Sequence, residues 1–113
     1  MAESVRDRVR AIQKDLRDGA LTPDMARESE IHLTALYGNV MDEKREARAA
    51  YSLVYLAAFR AEGKANRAKL VAEVSPEFAR LREVEDTETL VKQMVLSCRS
   101  FLRSLNEEMR LQR

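Results

Sequence analysis

The chain has 113 residues, 35% of them charged, and a formal net charge of +1. A charge so near zero does not by itself require a nucleic-acid or membrane partner, and no apolar run approaches the roughly 20 residues that span a bilayer. Three glycines and two prolines, beside 45% hydrophobic residues, favour long helices over sheets. We therefore predict an all-α protein. Its charged N-terminus lacks the apolar segment of a signal peptide and predicts a cytoplasmic location.

The first predicted element is a short helix and turn within residues 1–22. Ser4, with Asp7 three residues later, resembles a capping box in which Asp replaces the usual Glu. Gly19 stands where a left-handed C-terminal cap would end the helix. Four apolar side chains share one face of this segment, namely Val5, Val9, Ile12 and Leu16.

A long second helix is predicted over residues 23–72. It opens with Thr22-Pro23-Asp24, which supplies a Thr cap, a proline at the first helical position and an acid near the positive end of the helix dipole. Small or apolar residues then recur at an average spacing of about 3.5, the period that keeps one helix face against a partner. This seam, which only Lys44 interrupts, consists of Leu33, Tyr37, Val40, Lys44, Ala47, Tyr51, Val54, Ala58, Ala61, Ala65, Ala68 and Ala72. A continuous helix of this kind would be a rod of roughly 60 Å, which predicts a hairpin, an oligomer or both.

Two glycines and one Ser-Pro pair punctuate the rest of the chain. Gly38 is a tolerated weak point that costs about 1 kcal/mol relative to Ala, and Gly63 is a site for a bend. Ser75-Pro76 is the firmest break, so a C-terminal helix begins near residue 76 or 86; we place a connection at 73–85 and the helix at 86–113. Its own seam is Val84, Glu88, Val91, Val95, Cys98, Leu102, Leu105 and Met109. The predicted fold is one domain built on a long antiparallel, coiled-coil-like helical hairpin.

Residues 51–59 predict that a single chain cannot bury all of its apolar side chains. Eight of these nine residues are apolar or aromatic, so they cover every side of the helix, whereas a hairpin buries only one stripe. Leu53, Leu56 or Phe59 would stay in water, each forgoing about 1.5–3 kcal/mol. We predict a homo-oligomer, with the N-terminal helix as the alternative cover. The predicted interface is Tyr51, Val54, Tyr55, Ala58 and Phe59. Its aromatic rings could also stack on bases, although a core position is favoured.

No catalytic or metal-binding constellation is apparent. His32, the only histidine, has no second ligand type at metal spacing, and Cys98, the only cysteine, lies on the apolar seam as a buried structural thiol. The three glycines are too scattered for a phosphate-binding loop. An acidic run at 83–88 is explained by an exposed helix start, where the dipole favours negative charge. We predict a non-enzyme with no metal and no cofactor.

Basic residues are concentrated in two regions. Residues 60–82 hold six basic and three acidic residues, and residues 91–113 hold five and two. On a helix, Arg60, Lys64 and Arg67 would share one face, which suits phosphate binding, and symmetry in an oligomer would multiply the patch. The alternative is a solvated helix flank that pairs with glutamates.

The order of these features points to a family. An Ala-Arg-Ala-Ala-Tyr segment at 47–51 precedes a charged stretch at 62–67, and the last helix contains Ser-Cys-Arg-Ser-Phe-Leu-Arg-Ser-Leu at 97–105. Over about residues 25–110 this layout resembles the UvsY-type recombination mediators, small helical proteins of tailed phages.

The resemblance implies a function. Proteins of that family assemble into rings, bind single-stranded DNA and help load a RecA-like recombinase onto strands covered by single-strand-binding protein. Their DNA contacts are basic residues of the long helix. The matching positions here are Arg45, Arg48, Arg60 and Lys64, and Arg67 of the basic face completes the predicted DNA-binding set. If phage-encoded, the protein would work in the host cytoplasm.

The sequence thus predicts a non-enzymatic, homo-oligomeric, single-stranded-DNA-binding accessory protein of a phage recombinase. Its expected partners are single-stranded DNA and a RecA-like recombinase or a single-strand-binding protein, with no membrane. The alternative is a coiled-coil structural adaptor or assembly chaperone of a phage, with no nucleic-acid role. A regulatory role such as that of an antitoxin has no support beyond size and helicity.

Overall fold

A computed structural model of the chain describes residues 4–112. Of these residues, 90% are helical and none forms a strand, so the all-α prediction is confirmed. The helices of this part are α1 (Val5–Arg17), α2 (Pro23–Glu62), α3 (Ala65–Glu73) and α4 (Pro76–Leu111). The two long helices, α2 and α4, pack together. Within the described range, no helix combines the length and the apolar character needed to cross a membrane.

Both predicted caps of α1 form. The Ser4 hydroxyl oxygen accepts a hydrogen bond of 3.1 Å from the backbone N–H of Asp7. At the other end, Gly19 adopts a φ of 69°, and the N–H of Ala20 donates to the carbonyl of Asp15 over 2.8 Å. This left-handed cap satisfies a carbonyl that the last helical turn leaves open. Local sequence signals alone therefore determine both ends of the helix.

The prediction of one helix over 23–72 is wrong, because α2 ends at Glu62. Gly63 has a φ of 73° and its N–H donates to the carbonyl of Phe59 over 2.8 Å. A residue in the left-handed region cannot continue a right-handed helix, so the glycine ends α2 and the chain starts again as α3. The distal part of the predicted seam divides accordingly into the exposed Ala61 and Ala65 and the buried Ala68 and Ala72.

The predicted connection at 73–85 is also wrong, since the C-terminal helix begins at Pro76 rather than at residue 86. The Ser75 hydroxyl accepts a hydrogen bond of 3.2 Å from the N–H of Phe78. A serine cap followed by proline at the first helical position is a helix start, which needs no longer loop. The Ser-Pro break is real, but it is a tight junction.

The chain divides into two compact units, the first being Met1–Gly38 with Thr87–Arg113. The prediction of a single domain stays a prediction. In unit 1, α1 and the unit's segments of α2 and α4 enclose a core of large side chains. This core consists of Val9, Ile12, Leu33, Val91, Met94 and Cys98. Cys98 is fully buried, as predicted.

The second unit is Asn39–Asp86. Its interior is formed largely by small side chains, which let helix backbones approach closely. The buried residues are Val40, Ala47, Ala58, Ala68, Ala72, Leu81 and Val84. At its edge, the rings of Tyr51 and Phe78 meet with centroids 5.3 Å apart, and Arg80 Nη2 lies 3.7 Å from Glu46 Oε2. Because later residues of α4 meet earlier residues of α2, these segments run antiparallel.

Candidate nucleic-acid interface

All five cations predicted to bind DNA lie in unit 2 and are exposed to solvent. Arg45 forms an ion pair, with its Nη1 atom 3.8 Å from Asp42 Oδ1, and both side chains are more than two-thirds exposed. Such a surface pair contributes about 1 kcal/mol or less, so it opens readily. Within residues 4–112, no carboxylate lies within ion-pair distance of the other four, which are Arg48, Arg60, Lys64 and Arg67.

The predicted common helix face of Arg60, Lys64 and Arg67 does not form as a continuous stripe. Arg60 lies in the last turn of α2, whereas Lys64 precedes α3 with an extended backbone and Arg67 follows in the first turn of α3. The reversal at Gly63 separates the three, because the spacing of three and four residues has meaning only within one helix. They belong to two helices of the same unit.

Most basic residues of unit 2 lie in residues 44–69, which we call the basic band, on either side of an uncharged middle. Residues 44–69 contain seven basic and two acidic residues, and no charged residue occurs between Arg48 and Arg60. The two flanks of this stretch therefore carry cations, while its centre offers hydroxyl, aromatic and aliphatic groups. A nucleic-acid strand, which carries negative phosphates and flat bases, is complementary to this combination of groups.

An open cleft of about 340 Å³ lies in that uncharged middle, lined by Tyr51, Ser52, Tyr55 and Lys69. The two tyrosines are half-buried, whereas the Lys69 side chain is 67% exposed and its Nζ atom lies 3.9 Å from Glu73 Oε1. Sequence reasoning missed Lys69, since only the turn at Gly63 brings α3 beside this part of α2. No local signal in the sequence predicts that α3 lies beside this part of α2.

The predicted oligomer interface is partly occupied inside the single chain. Ala58 is buried and Tyr51 packs on Phe78, whereas Phe59 is 42% exposed. The remaining two predicted interface residues, Val54 and Tyr55, are half-buried. That these five residues meet another subunit stays a prediction.

The aliphatic side chains that a hairpin was expected to leave in water are indeed exposed. Leu53 is 69% exposed and Leu56 is 44% exposed. Beyond α2, unit 2 exposes three more large aliphatic residues, namely Leu70 and Val71 on α3 and Val74 just after it. No residue within 4–112 covers these five side chains, which we call the outer apolar surface.

Two cations of α4 in unit 1 are held by acids. Arg99, one of the five basic residues in 91–113, donates from Nε to Glu30 Oε1 over 2.7 Å. Lys92 Nζ lies 3.0 Å from Glu88 Oε1 and 5.7 Å from the centroid of the Tyr37 ring. The hydrogen bond to Glu88 raises the pKa of Lys92 above its usual value.

The prediction that the acidic run at 83–88 marks an exposed helix start is wrong. Pro76 begins α4 two turns earlier, and Glu88 is buried in unit 1, only 7% exposed. Its carboxylate accepts hydrogen bonds from Lys92 and from the Tyr37 hydroxyl, the latter at 3.5 Å. The apolar spacing that put Glu88 on the seam described its position better than the local charge did.

His32 and Cys98 are the two side chains that the sequence singled out for metal or nucleophilic chemistry. Within residues 4–112, no group of three or more His, Cys, Asp or Glu side chains could hold a metal ion. Burial raises the pKa of the Cys98 thiol, and the nearby Glu30 charge adds to this effect. A thiol that resists deprotonation is a poor nucleophile. His32 is exposed on α2.

No protein-family model, curated protein or solved structure matches the chain. The resemblance to UvsY-type mediators therefore depends on layout alone and stays a prediction. The surface chemistry of unit 2 is the remaining guide to function.

Proposed function

We propose that this protein is a non-enzymatic, self-associating single-stranded-DNA-binding protein that assists a phage recombinase. One observation carries the proposal: Arg48, Arg60, Lys64 and Arg67 are exposed cations of one unit without an acidic partner among residues 4–112. A cation of this kind can neutralise a phosphate and release counterions without first breaking an ion pair. Cations held by acids, such as Arg99, would have to give up that pair.

The uncharged centre of the basic band supports binding to single strands rather than to duplex. It contains Tyr51, Tyr55 and Phe59, and the first two of these are partly exposed while the third is clearly exposed. Aromatic rings stack on unpaired bases of any sequence, whereas a duplex keeps its bases stacked inside. Phosphates would meet the flanking cations and bases the rings between them.

Self-association belongs to the same proposal. Leaving Leu53, Leu70 and Val74 largely in water forgoes burial worth about 1.5–3 kcal/mol for each side chain that a partner could cover. We place the contact between copies on this outer apolar surface, since Tyr51 and Ala58 already pack within unit 2. A symmetric assembly would repeat the basic band and raise its affinity for a long strand.

The recombinase role follows from the resemblance to UvsY-type mediators. The proposed protein partners are a RecA-like recombinase and a single-strand-binding protein, and the proposed location is the host cytoplasm. The expected result is faster recombinase loading on DNA strands covered by single-strand-binding protein. DNA binding without any effect on loading would remove this part of the proposal and leave the binding function.

Binding is tested by fluorescence anisotropy of a labelled thymidine oligonucleotide of about 30 nucleotides, with a duplex of equal length beside it. If four phosphates are neutralised, affinity falls about 50-fold between about 50 and about 200 mM salt, since each phosphate contributes about −0.7 to the logarithmic slope for single strands. Arg60→Glu with Lys64→Glu should weaken binding strongly and reduce the magnitude of the slope by about 1.4.

A matched control is available on α1. Arg10 and Lys14 are also exposed, also four residues apart, and lie in unit 1. Arg10→Glu with Lys14→Glu makes the same change of charge and should leave most of the affinity. Equal weakening in both double variants would mean that net charge, and not the surface of unit 2, governs binding. No binding of the unmodified protein at low salt would overturn the proposal.

The second candidate is a structural adaptor or assembly chaperone of a phage, without a nucleic-acid role. The outer apolar surface favours it, because such a surface suits a protein partner. Salt separates the two functions: phosphate binding weakens steeply as salt rises, whereas an apolar contact does not.

A further inference from the structure

The cleft between α2 and α3 has a composition that fits one particular ligand. Its lining combines two tyrosine rings, a hydroxyl and an ammonium group, from Tyr51, Tyr55, Ser52 and Lys69. Resting on the proposed function, we infer that this cleft holds a base of the bound single strand. Tyr51 and Tyr55 then contact a base directly, and Lys69 joins the binding residues.

The rings of the cleft are held in place for stacking. Tyr51 packs on Phe78 with ring centroids 5.3 Å apart. The Arg82 guanidinium lies over the Phe78 ring, 5.9 Å from its centroid. A ring supported in this way loses little freedom when a base stacks on it, so less of the binding energy is spent on ordering. Both tyrosines are half-buried, which leaves part of each ring accessible.

Polar groups at the cleft can recognise the edge of a base. The Ser52 side chain is exposed and its hydroxyl both donates and accepts hydrogen bonds. Lys69 supplies an ammonium that is 67% exposed and only loosely held by Glu73, at 3.9 Å. At about 340 Å³, the cleft is near the lower end of the range for small-molecule sites, about 300–1,000 Å³. It suits a single nucleotide rather than a duplex.

The cleft continues into a line of binding groups along α2. Arg48, Ser52, Tyr55 and Phe59 follow one another at spacings of four, three and four residues, so they lie on one face of the helix. Phe59 is the one aromatic side chain of six that is exposed, at 42%. From Arg48 to Phe59 this face extends roughly 16 Å, several times the 3.4 Å between stacked bases. One strand can therefore contact a cation and more than one ring.

This face is distinct from the outer apolar surface. On α2, Leu53 is two residues from Tyr55 and six from Phe59, so at 100° per residue it points about 160° and about 120° away from them, whereas Leu56 borders the face. Every residue that lines the cleft carries a hydroxyl or an ammonium group, whereas the outer apolar surface is aliphatic throughout. A second copy on the aliphatic surface and a strand on the aromatic face can bind together.

The test measures oligonucleotide affinity, its salt dependence and the mass of the protein for four variants. Phe59→Leu and Tyr55→Leu should each weaken binding about 5- to 150-fold, the range for loss of one base stack, without changing the salt slope. Tyr55→Phe keeps the ring and should bind like the unmodified protein. Tyr37→Leu, also half-buried and on α2 but in unit 1, is the matched control and should bind normally.

Tyrosine fluorescence gives a second readout, because the chain has three tyrosines and no tryptophan. Stacking of an unlabelled thymidine oligonucleotide should quench the signal, and Tyr55→Leu should remove much of that quenching. If Tyr55→Leu does not fold, as judged by helicity, Lys69→Ala decides in its place and should weaken binding, because Lys69 lines the cleft and its side chain is 67% exposed.

Failure of the inference about the cleft can be distinguished from failure of the proposed function. Normal affinity of folded Tyr55→Leu and Phe59→Leu, with the unmodified protein still binding, would overturn the inference and leave the proposed function intact. A fall in oligomeric mass at unchanged affinity per chain would assign the cleft to an interface between copies and overturn it as well. If the unmodified protein binds no oligonucleotide at low salt, the proposed function fails and the inference with it.

Discussion

The two units of this chain distribute their apolar residues in opposite ways. Of the five largest fully buried side chains, four lie in unit 1, namely Leu33, Val9, Val91 and Cys98. Unit 2 fills most of its interior with alanine and leaves Leu53, Leu70 and Val74 more than two-thirds exposed. Buried large side chains stabilise a fold, whereas exposed ones contribute only when something covers them. Unit 1 thus buries the large side chains that stabilise it, whereas unit 2 exposes large side chains that a partner could cover.

Charged residues do not divide between the units in the same way. In unit 1, Glu30 and Glu88 hold Arg99 and Lys92 at 2.7 and 3.0 Å, but Arg10 and Lys14 are exposed and form no ion pair among residues 4–112. In unit 2, four exposed cations have no acidic partner among those residues. Unpaired cations remain available to a ligand, and those of unit 2 differ in that they flank half-buried and exposed aromatic rings. The apolar residues, rather than the charges, should therefore make the two units respond differently to the same substitution.

The largest expected difference concerns one leucine in each unit. Leu33→Ala removes a fully buried side chain from the core of unit 1 and should lower the free energy of unfolding by about 3 kcal/mol. Leu53→Ala makes the same change where the side chain is 69% exposed and should alter it by no more than about 0.5 kcal/mol. Urea unfolding at low protein concentration, where association is minimal, measures both. Similar losses would contradict the comparison.

A smaller effect is expected from pH, through the buried thiol of unit 1. Because burial raises the pKa of Cys98 in the folded chain, unfolding releases its proton once the pH exceeds the unfolded value of about 8.5. Stability is then lost as pH rises from there toward the folded pKa, by up to about 1.4 kcal/mol per pH unit. Urea titrations at several pH values should show this slope, and Cys98→Ala should flatten it.

Lys92 offers a check on that assignment, since it titrates in a different window. Its folded pKa is raised by the hydrogen bond to Glu88, so its contribution is fully present below about pH 10.4 and is lost only above it. Loss of stability that begins near pH 8.5 therefore belongs to the thiol. A Cys98→Ala variant that keeps the same slope there would show that another group is responsible.

The smallest effects concern two glycines. Gly38 lies within α2, and a Cβ there meets no atom within 4 Å, so Gly38→Ala should stabilise the protein by about 0.5–1 kcal/mol. Gly63 also has room for a Cβ, but its φ of 73° makes Gly63→Ala unfavourable by about 1–2 kcal/mol. Thermal unfolding of the two variants should shift in opposite directions. Stabilisation by Gly63→Ala would mean that the helix prefers to continue.

These glycines also show what sequence could and could not reveal. The caps at Ser4, Gly19 and Ser75 are encoded by a few adjacent residues, and the seam spacing identified buried positions in both long helices. The sequence also marked Gly38 as tolerated within the helix and Gly63 as a site for a bend. Because the apolar spacing continues past Gly63 to Ala72, it did not reveal that α2 ends there.

The candidate site was predictable only in part, for the same reason. Exposure of the five cations follows from their spacing off the seam, but the absence of an acidic partner for four of them does not. Whether Arg99 finds a carboxylate depends on Glu30, which is 69 residues away in the chain. Likewise Lys69 reaches the tyrosines of α2 only after the turn at Gly63. Long-range register, rather than residue type, decides both.

The most direct test of a stabilising unit 1 and a binding unit 2 is to locate the bound strand. A photoreactive thymidine oligonucleotide is crosslinked to the unmodified protein at low salt, and the modified residues are identified by mass spectrometry. We expect crosslinks within residues 45–69, foremost at Tyr55 and Phe59. Crosslinks confined to residues 5–38 or 87–111, or none at all, would contradict the account.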